Sequence, residues 1–126
     1  MSEYDLHVSI VEYLNYKYPE SLFQSDLSGV RLPIGLATKM KRIQKDRAWP
    51  DLFIAEARGQ YHGLFIEIKT DRDEVYKKNG KLRAITHIRE QYDKLRQLER
   101  RGYKAIFGCG FEHIRQVIDE YLGVDE

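Results

Sequence analysis

Leu64-Phe65-Ile66-Glu67-Ile68-Lys69 is the stretch that decides how this chain is read. Its apolar and β-branched content, bounded by Gly63 before and a polar charged segment after, predicts a strand. Side chains alternate across a sheet, so Leu64, Ile66 and Ile68 share one face, and Phe65, Glu67 and Lys69 share the other. An acid and an amine thus stand side by side among hydrophobic residues. Lysine and glutamate are seldom fully buried unless paired. For an isolated Glu-x-Lys, the simplest account is an ion pair on a solvated sheet face.

The residues just upstream change that account. Leu52-Phe53-Ile54 begins a strand directly after Pro50-Asp51, and Arg58 to Gly63 reads as a turn, so 51–70 forms an antiparallel hairpin. The hairpin sets Asp51 near the end of the strand that carries Lys69. Two carboxylates and one amine then converge. Carboxylate oxygens are hard ligands suited to Mg²⁺, which keeps several waters and accepts one or two protein acids plus a substrate phosphate. A turn or cap acid after proline is the alternative for Asp51. With the hairpin, the metal-site reading is preferred.

Working outward, the first helix starts at Ser2, with Asp5 as a weak capping-box acid, and ends before Pro19. Leu6, Ile10, Tyr13 and Leu14 recur at helical spacing. Glu3 projects in the same direction as Leu6, Ile10 and Leu14, whereas Glu12 lies on the polar side. Glu3 can therefore reach an internal site, or it simply suits the helix dipole in the first turn. Residues 21–27 are a weak strand candidate, and Gly29, Pro33 and Gly35 break the chain after it. Residues 36–46 are a short helix or an ordered loop. A helix over 86–101 turns Ile88, Tyr92, Leu95 and Leu98 to one side and is stopped by Gly102. Gln91 falls on that inward side, where a buried amide needs partners. It is either a satisfied core amide or a support for the site. Lys104 to Cys109 is a further strand. The last helix runs from about Phe111 to Leu122, with Ile114, Val117, Ile118 and Tyr121 inward. The order is helix, three strands, helix, strand, helix (α-β-β-β-α-β-α): an α/β domain with a mixed sheet flanked by helices.

Composition sets the outer bounds. A length of 126 residues fits one domain, 1–126, with one core. A 33% charged content beside 42% hydrophobic residues predicts a folded soluble protein, and no apolar run approaches the length that crosses a bilayer. The N-terminal residues lack a basic segment followed by an apolar one, so no secretory signal is expected and the expected location is the cytoplasm. Cys109, the single cysteine, excludes an internal disulfide and a cysteine-rich metal site. His7, His62, His87 and His113 show no zinc spacing and receive no catalytic role, although His7 is nearest to the proposed site. The net charge of +1 points to no particular partner. Its distribution says more. Residues 36–47 carry Lys39, Lys41, Arg42, Lys45 and Arg47 against Asp46, which is compatible with a polyanion, or equally with a solvated helix face. Residues 112–126 carry five acids against Arg115.

Pro50-Asp51 followed by Glu67-Ile68-Lys69 resembles the PD-(D/E)XK nuclease superfamily in residue type and order. The opening helix with Glu3, the basic segment before Pro50, the Gly80-Lys81-Leu82 loop, and a helix with Gln91 closed by Gly102-Tyr103 resemble its VRR-NUC branch, related to Holliday junction resolvases. The resemblance spans roughly residues 3–109. It departs at Ala48-Trp49, where the family often has glycine, and in the longer, more acidic loop 71–80.

That resemblance implies a restriction-endonuclease-like fold and metal-assisted hydrolysis of phosphodiester bonds in DNA. It assigns Asp51, Glu67 and the Ile68 backbone carbonyl as ligands of Mg²⁺ or Mn²⁺, with Glu3 holding a second metal or a metal-bound water. Lys69 orients the attacking water, and Gln91 supports the site. Lys39, Lys41, Arg42, Lys45, Arg47, Lys77, Lys78, Lys81 and Arg83 are the expected phosphate contacts. Trp49 is a candidate for stacking on a base, or a core residue. Related stand-alone resolvases act as homodimers, so a homodimer on branched, four-way DNA is expected, in a setting that suits a phage. The competing expectation is a non-catalytic DNA-binding module on a nuclease fold.

Overall fold

The computed structural model describes residues 2–26, 33–43 and 48–123. Gly29, Lys45, Asp46, Arg47, Asp125 and Glu126, each used in the sequence reading, lie outside the described residues. Helix α1 spans Glu3–Lys17. The Ser2 hydroxyl accepts from the Asp5 N–H at 3.1 Å, which satisfies one of the first-turn donors. Strand β1 is Phe23–Ser25 and helix α2 is Ile34–Ile43. Strands β2, Leu52–Ile54, and β3, Leu64–Lys69, form the expected hairpin. Helix α3, Thr86–Glu99, strand β4, Lys104–Cys109, and helix α4, Phe111–Ile118, complete the order, with a π-helical turn over Asp119–Gly123.

The sheet order is β1-β2-β3-β4, antiparallel in the first two pairings and parallel between β3 and β4. The parallel step is made by α3, as a crossover requires. The structure is therefore a mixed sheet flanked by helices, as the patterning predicts. It adds α2 between the first two strands, where a helix and a loop had both been open. Residues 71–82 also hold structure of their own: a 3₁₀ turn at Arg72–Glu74 and an antiparallel bridge between Tyr76 and Leu82.

Two apolar clusters fix the layers. On one face, Leu52, Ile54, Leu64, Ile66 and Ile68 meet Leu6, Ile10 and Leu14 of α1 and Ile114, Val117 and Ile118 of α4. On the other, Phe65, Ala105 and Phe107 meet Val75 and Ile88, Leu95 and Leu98 of α3. Gly108 makes the first interface possible: a Cβ there would stand 2.6 Å from Ile114 Cγ1 and 2.7 Å from Ile66 Cγ2. Tyr92 was expected inward, yet it is exposed. The apolar seam of α3 runs through Ile88, Leu95 and Leu98, with Gln91 and Lys94 in the intervening inward positions. Because both faces of β3 are covered, all six of its residues are buried, Glu67 and Lys69 included.

Candidate active site

The register aligns Leu52 with Ile66, which brings Asp51, one residue earlier, level with Glu67 on the same face. Asp51 is held there by its own strand partner, since its Oδ2 accepts from the Ile68 N–H at 2.9 Å. Glu67 Oε2 accepts from Gln91 Nε2 of α3 at 3.0 Å and lies 3.9 Å from Lys69 Nζ. Asp51 is 3% exposed, Glu67 4% and Lys69 6%. A solvated Glu–Lys surface pair is thereby excluded: these groups are buried together at one end of the sheet. Asp51, Glu67, Lys69 and Gln91, predicted separately, meet here.

The electrostatics follow from that burial. Desolvation first, then the charge of Asp51 and a hydrogen bond with it, push the Glu67 carboxyl up to about 10, against the opposing pull of Lys69. Burial and Asp51 also raise Glu3. In the metal-free protein, burial beside Asp51 therefore disfavours ionisation of Glu67, which keeps its proton. A divalent cation is the natural replacement for that proton, because it lets both acids stay charged.

One residue of the site escaped the sequence reading. His7 lies one helical turn after Glu3 and points to the same place. Its Nε2 is 3.8 Å from Glu3 Oε2 and 3.9 Å from Asp51 Oδ2. Ligand atoms of Glu3, His7 and Asp51 all lie within 4.8 Å of one another, and no other such metal-ligating group occurs among the described residues. Two metal–ligand bonds of about 2.1 Å span at most about 4.2 Å. Both His7 distances already fit under that span, and half-exposed Glu3 is the group free to close the rest. Among the described residues, four buried side-chain atoms have no hydrogen-bond partner, His7 Nε2 and Gln91 Oε1 of this site and also Ser21 Oγ and Arg96 Nε. The residues present therefore suit a divalent cation. The signal was available: a histidine four residues after a candidate acid, on the face that also carries Leu6 and Ile10.

Around this centre, Glu74 ties the chain leaving β3. It accepts from the Thr70 hydroxyl and N–H and from the Asp71 N–H, and these bonds hold its carboxyl low although burial opposes them. Ala48 takes a φ of 70°, a left-handed conformation that glycine adopts without strain. The residue there is alanine, so the backbone carries strain at that point. Trp49 is exposed, its ring 6.0 Å from that of Phe65 and 4.9 Å beneath Lys94 Nζ, on the sheet face that carries Glu67. Lys39, Lys41 and Arg42 stand in solvent on α2, and Lys77, Lys78 and Lys81 stand in solvent on the 71–82 hairpin. Arg83 differs: its Nε donates to the Asp73 carbonyl and braces that hairpin.

A solved structure of a VRR_NUC domain protein has this fold, with a TM-score of 0.69 at 25% sequence identity, covering 97% of this chain and 88% of that one. The fold is a VRR_NUC fold. At that identity and coverage the likeness supports the VRR-NUC family for this chain. No protein-family model and no curated protein matches the sequence. Among the described residues, no helix is long and apolar enough to cross a membrane.

Proposed function

We propose that this chain is a divalent-metal-dependent DNA endonuclease of the PD-(D/E)XK type, hydrolysing phosphodiester bonds in branched DNA, four-way junctions among them, as a homodimer. The observation that carries the reading is the burial of Asp51, Glu67 and Lys69 together. Burying two acids and an amine costs several kcal/mol per charge unless each is compensated, and an apolar trio would pack without that cost. The VRR_NUC fold supports the nuclease class.

Asp51, Glu67 and the Ile68 carbonyl would hold the cation, with Glu3 beside them. When bound, the cation lowers the pKa of a coordinated water and neutralises charge developing on the phosphate. Asp51 is kept in register by the Ile68 N–H, and Glu67 is aimed by Gln91. Lys69 donates to the attacking water and steadies the negative charge that builds on the phosphoryl oxygens. The buried flank excludes bulk water, so these charges act in a low dielectric. Lys39, Lys41, Arg42, Lys77, Lys78 and Lys81 would grip phosphates, giving affinity that falls with salt and carries no sequence preference. A two-fold partner would set two such centres on the two symmetric strands of a junction.

Labelled duplex, flap and four-way junction DNA, incubated with Mn²⁺ or with EDTA, test this. Wild type should cleave only with metal, and Asp51→Ala and Lys69→Ala should each abolish cleavage. Cleavage that survives Asp51→Ala overturns the chemistry. Metal-independent DNA binding without cleavage would favour a non-catalytic DNA-binding module. Light scattering of the protein, free and junction-bound, tests the dimer.

A further inference from the structure

We infer that His7 is itself a metal ligand, so that the centre is a mixed imidazole–carboxylate site that selects Mn²⁺ and later first-row divalent ions over Mg²⁺. This rests on the metal-dependent reading above and goes beyond it, because an all-oxygen site would carry a much weaker preference. His7 is 7% exposed, and its Nε2 has no hydrogen-bond partner among the described residues. A buried ring nitrogen left unbonded is costly, and native proteins rarely leave one so without a reason. Here the nitrogen is aimed between two carboxylates, 3.8 Å from Glu3 and 3.9 Å from Asp51, too far for a hydrogen bond to either and within the span of a bridging cation.

The helix explains the placement. Glu3 and His7 are separated by four residues, so they present their ligand atoms on one face of α1, as pairs of metal ligands on helices do. Leu6, Ile10 and Leu14 pin that face against the sheet, which fixes the depth of the imidazole. Ligation through Nε2 needs the lone pair there, with the ring proton on Nδ1. Imidazole is a softer donor than a carboxylate or water. It favours ions along the order from Mn²⁺ towards Ni²⁺ and gives Mg²⁺ little.

Binding and spectroscopy test this without reference to cleavage. Mn²⁺ is added below one equivalent to wild type, His7→Gln and Asp51→Asn. Pulsed EPR reads ¹⁴N coupling to the bound ion, and calorimetry reads Mn²⁺ and Mg²⁺ affinities. Wild type should show imidazole ¹⁴N modulation. His7→Gln should lose it, weaken Mn²⁺ about tenfold or more, as loss of a metal-site contact does, and leave Mg²⁺ affinity within about threefold. Asp51→Asn should lose both ions. Thermal melts of the variants, with the retained Mg²⁺ binding of His7→Gln, show that the site is still folded. Mn²⁺ bound to wild type without ¹⁴N modulation, or modulation that persists in His7→Gln, overturns the assignment of His7 and leaves the nuclease reading standing. Wild type that binds neither ion, or Asp51→Asn that binds both undiminished, overturns the metal centre as a whole.

Discussion

Replacing Glu67 with glutamine should stabilise the metal-free protein at neutral and alkaline pH. Glutamine copies the shape of the protonated acid. Its carbonyl can accept from Gln91 Nε2 as Glu67 does, and its amide can donate to Asp51 in place of the Glu67 proton. In the wild type, folding takes up a proton at this carboxyl wherever the pH lies between the unfolded value of about 4.3 and the folded value of about 10. The Glu67 contribution is therefore fully favourable below the lower value and is lost as pH rises towards the upper one. At pH 7 the group has crossed about 2.7 pH units of that window, at about 1.4 kcal/mol each, which sets an upper bound of about 4 kcal/mol. Movement of Asp51 and entry of water would reduce this to about 1–3 kcal/mol. The assay is urea denaturation followed by circular dichroism in EDTA, at pH 4, 6 and 8. Glu67→Gln and wild type should have equal midpoints at pH 4, and the variant should gain progressively above it. Saturating Mn²⁺ should reverse the ranking at pH 8, because only the glutamate supplies a charged ligand. A difference that does not change with pH, or a variant less stable at pH 8 in EDTA, refutes the account of a Glu67 carboxyl that folding keeps protonated.

Gln91→Leu removes the donor that aims Glu67. Single-turnover cleavage and Mn²⁺ affinity should each fall about tenfold or more, while the denaturation midpoint moves little. Gly108→Ala places a methyl against Ile114 and Ile66 and should cost about 1–3 kcal/mol by urea denaturation. Unchanged stability would contradict the tight apposition of α4 on the sheet. Asp119 accepts from Tyr13 and Tyr18 hydroxyls at 2.6 Å and pairs with Arg115 and Lys17. Partial burial would raise its carboxyl, but these hydrogen bonds hold it low. Its contribution is present above the unfolded value of about 3.9 and is lost as pH falls through the depressed folded value. Asp119→Asn should therefore cost about 1 kcal/mol at pH 7, with the gap to wild type closing in acid.

The strands β3 and β4 were legible because each is a six-residue, largely apolar segment with a glycine close by on one side. The β2–β3 hairpin was legible from the turn residues between the two runs. Strand β1 was weak because three residues, one of them glutamine, carry too little pattern to separate strand from loop. Helix α2 was ambiguous for a different reason. Ile34, Leu36 and Ile43 are exposed, so its apolar residues do not report a packed face. Tyr92 was misplaced because it was counted in the apolar seam on helical spacing alone, beside Gln91, which was also read inward. In the fold Gln91 holds the inward position through its bond to Glu67, and Lys94 is buried against Trp49. His7 was passed over because histidines were tested only against zinc-like spacing, whereas its signal lay in its four-residue offset from Glu3.

The misplacing of Tyr92 and the passing over of His7 share one cause. Periodicity locates residues that bury because they are apolar, and the site buries residues that are not. Gln91, Lys94, His7, Glu67 and Asp51 all violate the inside–outside rule that made the rest of the chain readable. A sequence that specifies a fold by local consistency departs from it where something other than stability is served. Here the departures converge on one end of the sheet: the two acids face each other, the imidazole nitrogen is aimed at them, and the amide donates to one of them. Each polar group alone has an ordinary structural explanation. Together, they leave among the described residues an unbonded buried nitrogen and a carboxyl whose charged form is disfavoured, defects that a single divalent ion in their midst would relieve at once.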